Sequence, residues 1–513
     1  MCVKRGLVWS VVATVCGVVG SLFVTPLLLS RLGPAEFGLY VLVLALASYA
    51  SFFDFGLTWA AGRYFADDFV TGRRADLVGR FFTLARFLAG VGLLSVAGAV
   101  IVGPAILRRS GAGGEAHVVS TLVLAAASFA VTLQIDLLGT LLRGCQRFDE
   151  AGRVNTIGSV LLPLSAYLAL RAGASLNVLL AVNVGVSVLV LTLYSLSARR
   201  EWRGVERAAR WAPRYLREMA SFGGWSTSTR LCRIVMLQLD RLAVAFLGST
   251  TALAYYSVPA SVAARVNAVG TAASGLFFTR ASALHAAGSR AALREQHAAA
   301  TRLLVWMTAT VAAPLVLLGD AFLKEWIGPE MAAQGGPVLL VLVLGYAVIA
   351  VGSLDAVTLE GCGRPDLAGL TVLAWSALAL GFVVAAGPTL GAQAVAYAVA
   401  GWLAGVGLTD MVLARRVVLA GAEHTGALVM GLALVVAAAA GVAHLVRPLI
   451  DRLVTALACL SGVGGVALAV GFFVILTRGD RALIGRQLAD VLVMSRLRVA
   501  PAPAGDSHRP TDP

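Results

Sequence analysis

Gly144-Cys145-Gln146-Arg147-Phe148-Asp149-Glu150-Ala151-Gly152 and Gly361-Cys362-Gly363-Arg364-Pro365-Asp366-Leu367-Ala368-Gly369 agree at six of nine positions. Such a match is not rare by itself in a Gly- and Ala-rich chain. Its weight comes from context, because each copy occupies a short polar turn between long apolar stretches. A second pairing keeps nearly the same offset along the chain: Leu32-Gly33 to Tyr40 aligns with Leu247-Gly248 to Tyr255. A membrane chain built from two similar halves points to a transporter with its pathway between them.

The composition fits that frame. Hydrophobic residues make up 59% of the chain, charged residues 13%, and the mean hydropathy is +0.85. About 20 apolar residues cross a bilayer, and the sequence reads as fourteen spans near 7–30, 38–62, 81–104, 117–140, 155–170, 177–198, 221–247, 251–279, 303–320, 337–359, 367–387, 391–414, 426–446 and 453–477. The expected fold is an all-α integral membrane protein of about 14 transmembrane helices: two six-helix lobes in parallel repeat plus a C-terminal helix pair. An even number of spans per half keeps both halves in the same orientation. The expected divisions are a first lobe over 1–198, a basic connector over 199–220, a second lobe over 221–420, the extra pair over 421–477, and a tail over 478–513 that is partly disordered.

A net charge of +14 in a soluble protein would suggest nucleic acid. Here it reads as topology. With the N-terminus placed in the cytoplasm, the segments on that side hold 29 of the 41 Lys and Arg residues, and the opposite side holds seven. Both termini and the connector are therefore expected to be cytoplasmic, with no nucleic-acid partner. The connector interleaves Trp202, Trp211, Tyr215 and Leu216 with seven arginines from Arg199 to Arg217. Two readings stay open for it: a plain positive-inside loop, or an interfacial helix held by anionic membrane lipids.

The first apolar stretch is long and lacks a small-residue cleavage site before Arg31, so it reads as an uncleaved span. The six cysteines map to spans, cytoplasmic turns or the N-terminus, where disulfides are not expected, and no Cys/His spacing suggests a metal. Outer loops are short, the longest being roughly 321–336. That argues against an enzyme with an extramembrane catalytic domain, and no catalytic residues are expected.

Polar residues inside the spans mark candidate sites. In span 1, Ser10, Thr14, Gly17, Ser21 and Thr25 share a face, reading either as helix packing or as the wall of a wet pathway. Asp54 lies deep in span 2, where a carboxylate must be protonated, paired or hydrated. In span 7, Arg230, Arg233, Asp240 and Arg241 fall within about 100° of arc. Span 8 adds Ser257, Ser261 and Arg265, with Asn267 nearby and Pro259 as a kink. Arginines in such numbers require a polar cavity, mutual pairing or escape to the membrane surface. Guanidinium forks match phosphate oxygens, so a row facing a cavity suits a phosphorylated substrate. Arg86, Asp136, Asp355 and Asp410 lie nearer span ends and read as structural pairs.

The stretch Arg31-Leu32-Gly33-Pro34-Ala35-Glu36-Phe37-Gly38-Leu39-Tyr40, continued by Asp54-Phe55-Gly56-Leu57 and Arg63-Tyr64, resembles the opening of bacterial polysaccharide-export flippases of the Wzx type. These belong to the multidrug/oligosaccharidyl-lipid/polysaccharide (MOP) superfamily. Leu239-Asp240-Arg241, Leu247-Gly248 and Tyr255 look like the counterpart in the second half, and the likeness extends over spans 1–12. The resemblance implies alternating access around a cavity lined mainly by spans 1, 2, 7 and 8. It also implies movement of an undecaprenyl-pyrophosphate-linked oligosaccharide for O-antigen, capsule or exopolysaccharide assembly. On this reading Arg230, Arg233, Arg241, Arg265, Asn267, Thr14, Ser21 and Thr25 line the substrate cavity. Asp54 and Asp240 serve H+ or Na+ coupling or balance the arginines, no other cofactor is needed, and other polysaccharide assembly proteins are candidate partners. A cation-coupled multidrug exporter of the same superfamily is the alternative, although cationic substrates would favour cavity acids over arginines. A membrane glycosyltransferase or polymerase is the third reading.

Overall fold

In the computed structural model, residues 2–49, 57–110, 115–202, 212–221, 240–419 and 425–482 are described. The described residues form helices and short turns with no strand. The helices are α1 (Cys2–Tyr49), α2 (Leu57–Val70), α3 (Arg74–Ser110), α4 (Glu115–Gly144), α5 (Phe148–Arg171), α6 (Leu176–Trp202), α7 (Pro213–Ser221), α8 (240–247) and α9 (Thr250–Ala263). They continue as α10 (Asn267–Ala286), α11 (Arg290–Trp326), α12 (Pro329–Gly361), α13 (Pro365–Leu390), α14 (Ala392–Leu413), α15 (Thr425–Val446) and α16 (Leu453–Val474). Eleven are long and apolar enough to cross a membrane by length and composition alone.

Three features depart from a plain reading of spans. α1 would run about 72 Å unbroken at 1.5 Å per residue, but Gly33 (φ 78°, ψ 164°) divides it into two spans just before Pro34. That left-handed backbone is open to glycine and strained for other residues. Span 8 is broken by the 3₁₀ turn Ala264–Val266, shortly past Pro259, where the missing amide of the proline has already weakened the helix. The stretch expected as the longest outer loop, 321–336, is mostly helix: α11 ends at Trp326, α12 starts at Pro329, and only Ile327-Gly328 turns between them.

The turns alternate between two ends of the bundle. Those at 71–73, 145–147, 287–289 and 362–364 lie at the end where the connector helix α7 packs, called here the basic end. Those at Gly33, 172–175, 248–249, 327–328 and Gly391 lie at the far end. The repeat read from sequence is visible in the backbone. Cys145 N donates to Leu141 O and Arg147 N to Leu142 O; at the matching positions of the second copy, Cys362 N donates to Thr358 O and Arg364 N to Leu359 O.

The apolar cores divide by end. At the basic end, α2 to α7 build one cluster around Phe65, Leu84, Leu137, Leu141 and Tyr194. A separate one around Phe277, Leu293, Leu304 and Leu354 joins α10 to α12 with Leu419, which follows α14. At the far end both halves share a single cluster: Val24, Leu28, Leu29, Phe37 and Leu170 pack with Tyr255, Tyr256, Phe322, Trp326 and Leu342. α15 and α16 pack on α11 through Trp306, Val435 and Val463.

The described end of the connector, α7, is docked on protein. On α7, Tyr215 and Met219 are buried in the first half's cluster while Arg214 and Arg217 face outward. Beneath it, Arg80 is ion-paired to fully buried Asp68 and reaches Glu218 at 3.0 Å. Its guanidinium lies 4.9 Å from the Tyr64 ring centroid and 5.1 Å from that of Tyr215, a geometry that favours a cation over both π faces. Tyr215 Oη donates to Asp76 at 2.8 Å and Tyr64 Oη to the Glu218 carbonyl at 3.0 Å.

Candidate substrate cavity

Among the described residues the halves share one core at the far end and pack in two separate cores at the basic end. Two contacts join the halves at the far end. Trp326 Nε1 of α11 donates to the Leu22 carbonyl of α1 at 2.8 Å. Gly38 of α1 approaches α9 so closely that a Cβ there would lie 1.7 Å from the Thr250 carbonyl oxygen. The glycine of Glu36-Phe37-Gly38-Leu39-Tyr40 thus has a packing reason: only a bare backbone fits.

α1 carries three stripes. Ala13, Val24 and Leu28 are buried, and Gly20 is seated on Pro163 of α5. Val15, Val19 and Phe23 are exposed, as lipid-facing residues are. The polar stripe of Thr14, Gly17, Ser21 and Thr25 lies about 80° around from the packed face. Thr14 is exposed, Gly17 has open space where a Cβ would be, and Ser21 Oγ donates to the Val18 carbonyl at 2.8 Å. Gly17 and Thr14 are therefore not buried in a helix contact.

Arg265 sits in the 3₁₀ break of span 8 and is exposed, and its side chain makes no hydrogen bond or ion pair among the described residues. From Thr250 to Arg265 is about 22 Å of helix at 1.5 Å per residue, which keeps the arginine inside a hydrocarbon core about 30 Å thick, on the basic-end side of its middle. An arginine at that depth must face a water-filled or polar space. Asn267 follows at the start of α10, half-buried. Ser257 is buried instead, and Ser261 Oγ donates to the Val258 carbonyl at 2.7 Å. Ser261 is exposed like Arg265, so only Ser257 of the three is packed away although they share four-residue spacing.

Asp240 is turned into the second half. It accepts from Tyr256 Oη at 2.9 Å and from the Arg241 amide at 2.6 Å. It also borders a cavity of about 60 Å³ walled by Ala243, Val395, Val399 and Trp402. Arg241 is half-buried beside it. Arg230, Arg233 and Asp54 lie outside the described residues. The carboxylates near span ends have partners: Asp355 lies 3.0 Å from His297 Nε2, both buried, and Asp410 accepts from Thr371 Oγ1 at 2.8 Å. His297, Arg80 and Trp326 escaped the sequence reading, because a lone His, Arg or Trp has no signature until a distant helix supplies its partner. Among the described residues no group of three or more His, Cys, Asp or Glu could hold a metal ion.

Residues 3–277, over half of the chain, match the family model described as polysaccharide biosynthesis protein. The chain belongs to this family. A protein of Shigella flexneri assigned as an O-antigen transporter is 23% identical over 352 residues, covering 66% of this chain and 80% of that protein. Among solved structures, the lipid II flippase MurJ in an inward closed conformation superposes with a TM-score of 0.63 at 12% identity, covering 94% of this chain and all of MurJ. An inward-facing multidrug resistance transporter of the MATE family gives 0.62 at 15% identity, covering 79% and 97%. These likenesses establish the MOP fold. This member of the polysaccharide biosynthesis protein family is a multi-pass membrane protein, and the solved structures whose fold it shares are transporters and flippases.

Proposed function

We propose that this transporter flips a lipid-linked oligosaccharide, carried on undecaprenyl pyrophosphate, from the cytoplasmic to the outer leaflet of a bacterial inner membrane for surface polysaccharide assembly. The observation that carries the reading is Arg265: an exposed guanidinium within the membrane-spanning part, in a 3₁₀ turn of span 8, in the polysaccharide biosynthesis protein family. A planar fork there suits a phosphate or an acidic sugar. Arg230, Arg233 and Arg241 of span 7 and Asn267 extend the basic face, and Thr14, Ser21 and Thr25 of α1 supply hydroxyls to the sugar. Asp54 and Asp240 couple transport to H+ or Na+, or balance the arginines.

The basic end is cytoplasmic in this scheme, because Lys and Arg crowd that side. The chain is then in a state closed to the outside. Alternating access requires the Trp326–Leu22 and Gly38–Thr250 contacts to break while the basic ends of the two halves come together.

The test uses purified protein in liposomes with a lipid-linked saccharide. The saccharide should change leaflet without changing mass. Loss of one charge-assisted contact costs about 1.5–3 kcal/mol, roughly ten- to more than a hundredfold in affinity. Arg265→Ala should slow flipping on that scale, Arg265→Lys should restore part of it, and Arg109→Ala should be neutral. A mass shift showing sugar transfer would overturn the transport reading. Equal tolerance at Arg265 and Arg109 would overturn the cavity assignment.

A further inference from the structure

The internal repeat supplies its own control, and the two copies of the basic-end turns differ in one respect: charge balance. In the first half, Arg147 is neutralised within the protein. It ion-pairs with Glu150, donates to Glu201 Oε1 at 3.0 Å and to the Ser197 carbonyl at 3.1 Å. Its counterpart Arg364 has the same backbone turn, yet in that register Glu150 and Glu201 are replaced by Leu367 and Val418. Among the described residues Arg364 keeps only Asp366 as an ion-pair partner, 3.2 Å away at the surface.

The neighbouring turn repeats the pattern. Gly72 N donates to Phe69 O, Arg73 N to Asp68 O and Arg74 N to Gly72 O. In the second half Gly288 N donates to His285 O, Ser289 N to Leu284 O and Arg290 N to Gly288 O. In this register the buried Asp68 becomes Leu284, Phe69 becomes His285, and Arg74 is kept as Arg290. Neither the His285 nor the Arg290 side chain makes a hydrogen bond or ion pair among the described residues. One half therefore pairs its turn cations with carboxylates, and the other has Leu284, Leu367 and Val418 in place of Asp68, Glu150 and Glu201 while it keeps Arg290 and Arg364, gains His285 and has Ser289 where the first half has Arg73.

Where the carboxylates are missing there is a cavity of about 200 Å³. His285, Arg290 and Arg364 line it together with Cys362, Val417 and Val418. Its apolar floor is the cluster of Leu293, Leu354 and Leu419, which belongs to the second half alone. The N-termini of α11 and α13, at Arg290 and Pro365, both reach this place, and neither Ser289 nor Arg364 caps its helix with a side-chain hydrogen bond. The positive ends of two helix dipoles thus add to three basic side chains. At about 30 Å³ per water, the space would hold a phosphate group and several waters.

We propose that this cavity is a phosphate-binding site at the basic end of the second half, separate from the space between the halves. Its ligand is a phosphate mono- or diester. Two sources carry that chemistry: the headgroup of an anionic phospholipid in the adjoining leaflet, or a soluble phosphorylated molecule. The site moves with one half as a unit, so it anchors or regulates that half and does not carry cargo. The assignment does not depend on the substrate proposed above.

The test uses the full-length purified protein in two arms. In the first, phosphatidylglycerol is titrated into phosphatidylcholine nanodiscs and bound lipid is counted by native mass spectrometry. In the second, inorganic pyrophosphate is titrated by calorimetry in detergent. Saturable binding is expected in one arm, which identifies the source. It should weaken about tenfold or more in Arg290→Gln and in Arg364→Gln. Val418→Glu rebuilds the arrangement of the first half and should abolish binding with no loss of cationic side chains. Arg74→Gln, the repeat counterpart of Arg290, should bind as the parent does. Absence of saturable binding in both arms overturns the proposal. So does an equal loss in Arg74→Gln, or normal binding in a folded Val418→Glu.

Discussion

Replacing Gly38 by alanine tests how the far end is closed. Ordinary contact for a Cβ is 3.4–4 Å, whereas here it would lie 1.7 Å from the Thr250 carbonyl oxygen and 3.0 Å from its Cα. Both neighbours are backbone, so no rotamer relieves the clash, and α1 and α9 must part by about 1.5–2 Å to regain contact distance. A radial gap of about 0.5–1 Å already forfeits a quarter to a half of a dispersion contact, so the shared cluster around Phe37, Val24 and Tyr255 loosens with it. Overpacking of this kind costs about 1–3 kcal/mol. Because the strain exists only where the halves touch, it falls on the closed far end and shifts the balance toward opening by roughly five- to 150-fold. The assay places Val24→Cys under the closure and measures its modification by a membrane-impermeant maleimide applied from the far side. Labelling should be slow in the parent and fast with Gly38→Ala, with little change in melting temperature. If Gly38→Ala leaves both labelling and flipping at parental rates, the contact is not the closure and the account of the glycine fails.

Two further outcomes are expected. Arg80→Ala removes the nearer of the two cations on buried Asp68 and leaves Arg73 at 3.4 Å, so it should destabilise the protein by about 1.5–3 kcal/mol in thermal melts, and Arg80→Met with Asp68→Leu should recover most of the loss. Were the single variant as stable as the parent, the docking of α7 would not rest on this ion pair. Burial pushes the Cys145 thiol up to about 12, with Glu201 adding to the rise and Arg147 opposing it. A raised acid pKa keeps the reactive thiolate scarce at pH 8. Iodoacetamide should therefore modify Cys145 slowly in folded protein and readily after unfolding, and rapid modification of folded protein at pH 8 would refute the burial argument.

Much of this protein is legible one segment at a time, because a bilayer imposes a local rule. Each span must be about 20 apolar residues long, so the helical class, the near count of spans and the two-half organisation follow from hydropathy and from the Gly144 and Gly361 copies. The polar stripe on α1 is equally local, since phase along one helix depends on residue spacing alone. Partnership is not local. That Asp240 faces Tyr256 within its own half, that Arg80 is held between Tyr64 and Tyr215, and that His297 meets Asp355 depend on how helices far apart in sequence pack. The connector shows the same divide: seven arginines read as a loop or a lipid-bound helix, yet Tyr215 and Met219 find a protein surface to bury against. Of Ser257, Ser261 and Arg265 the first is buried and the other two exposed, which their shared four-residue spacing does not foretell because neighbouring helices cover only part of span 8. Composition and periodicity thus determined what crosses the membrane, because solvation acts on each segment separately. Only the tertiary structure decided which charges are neutralised and which remain available, because a charge is satisfied by whatever the fold brings within a few ångströms of it.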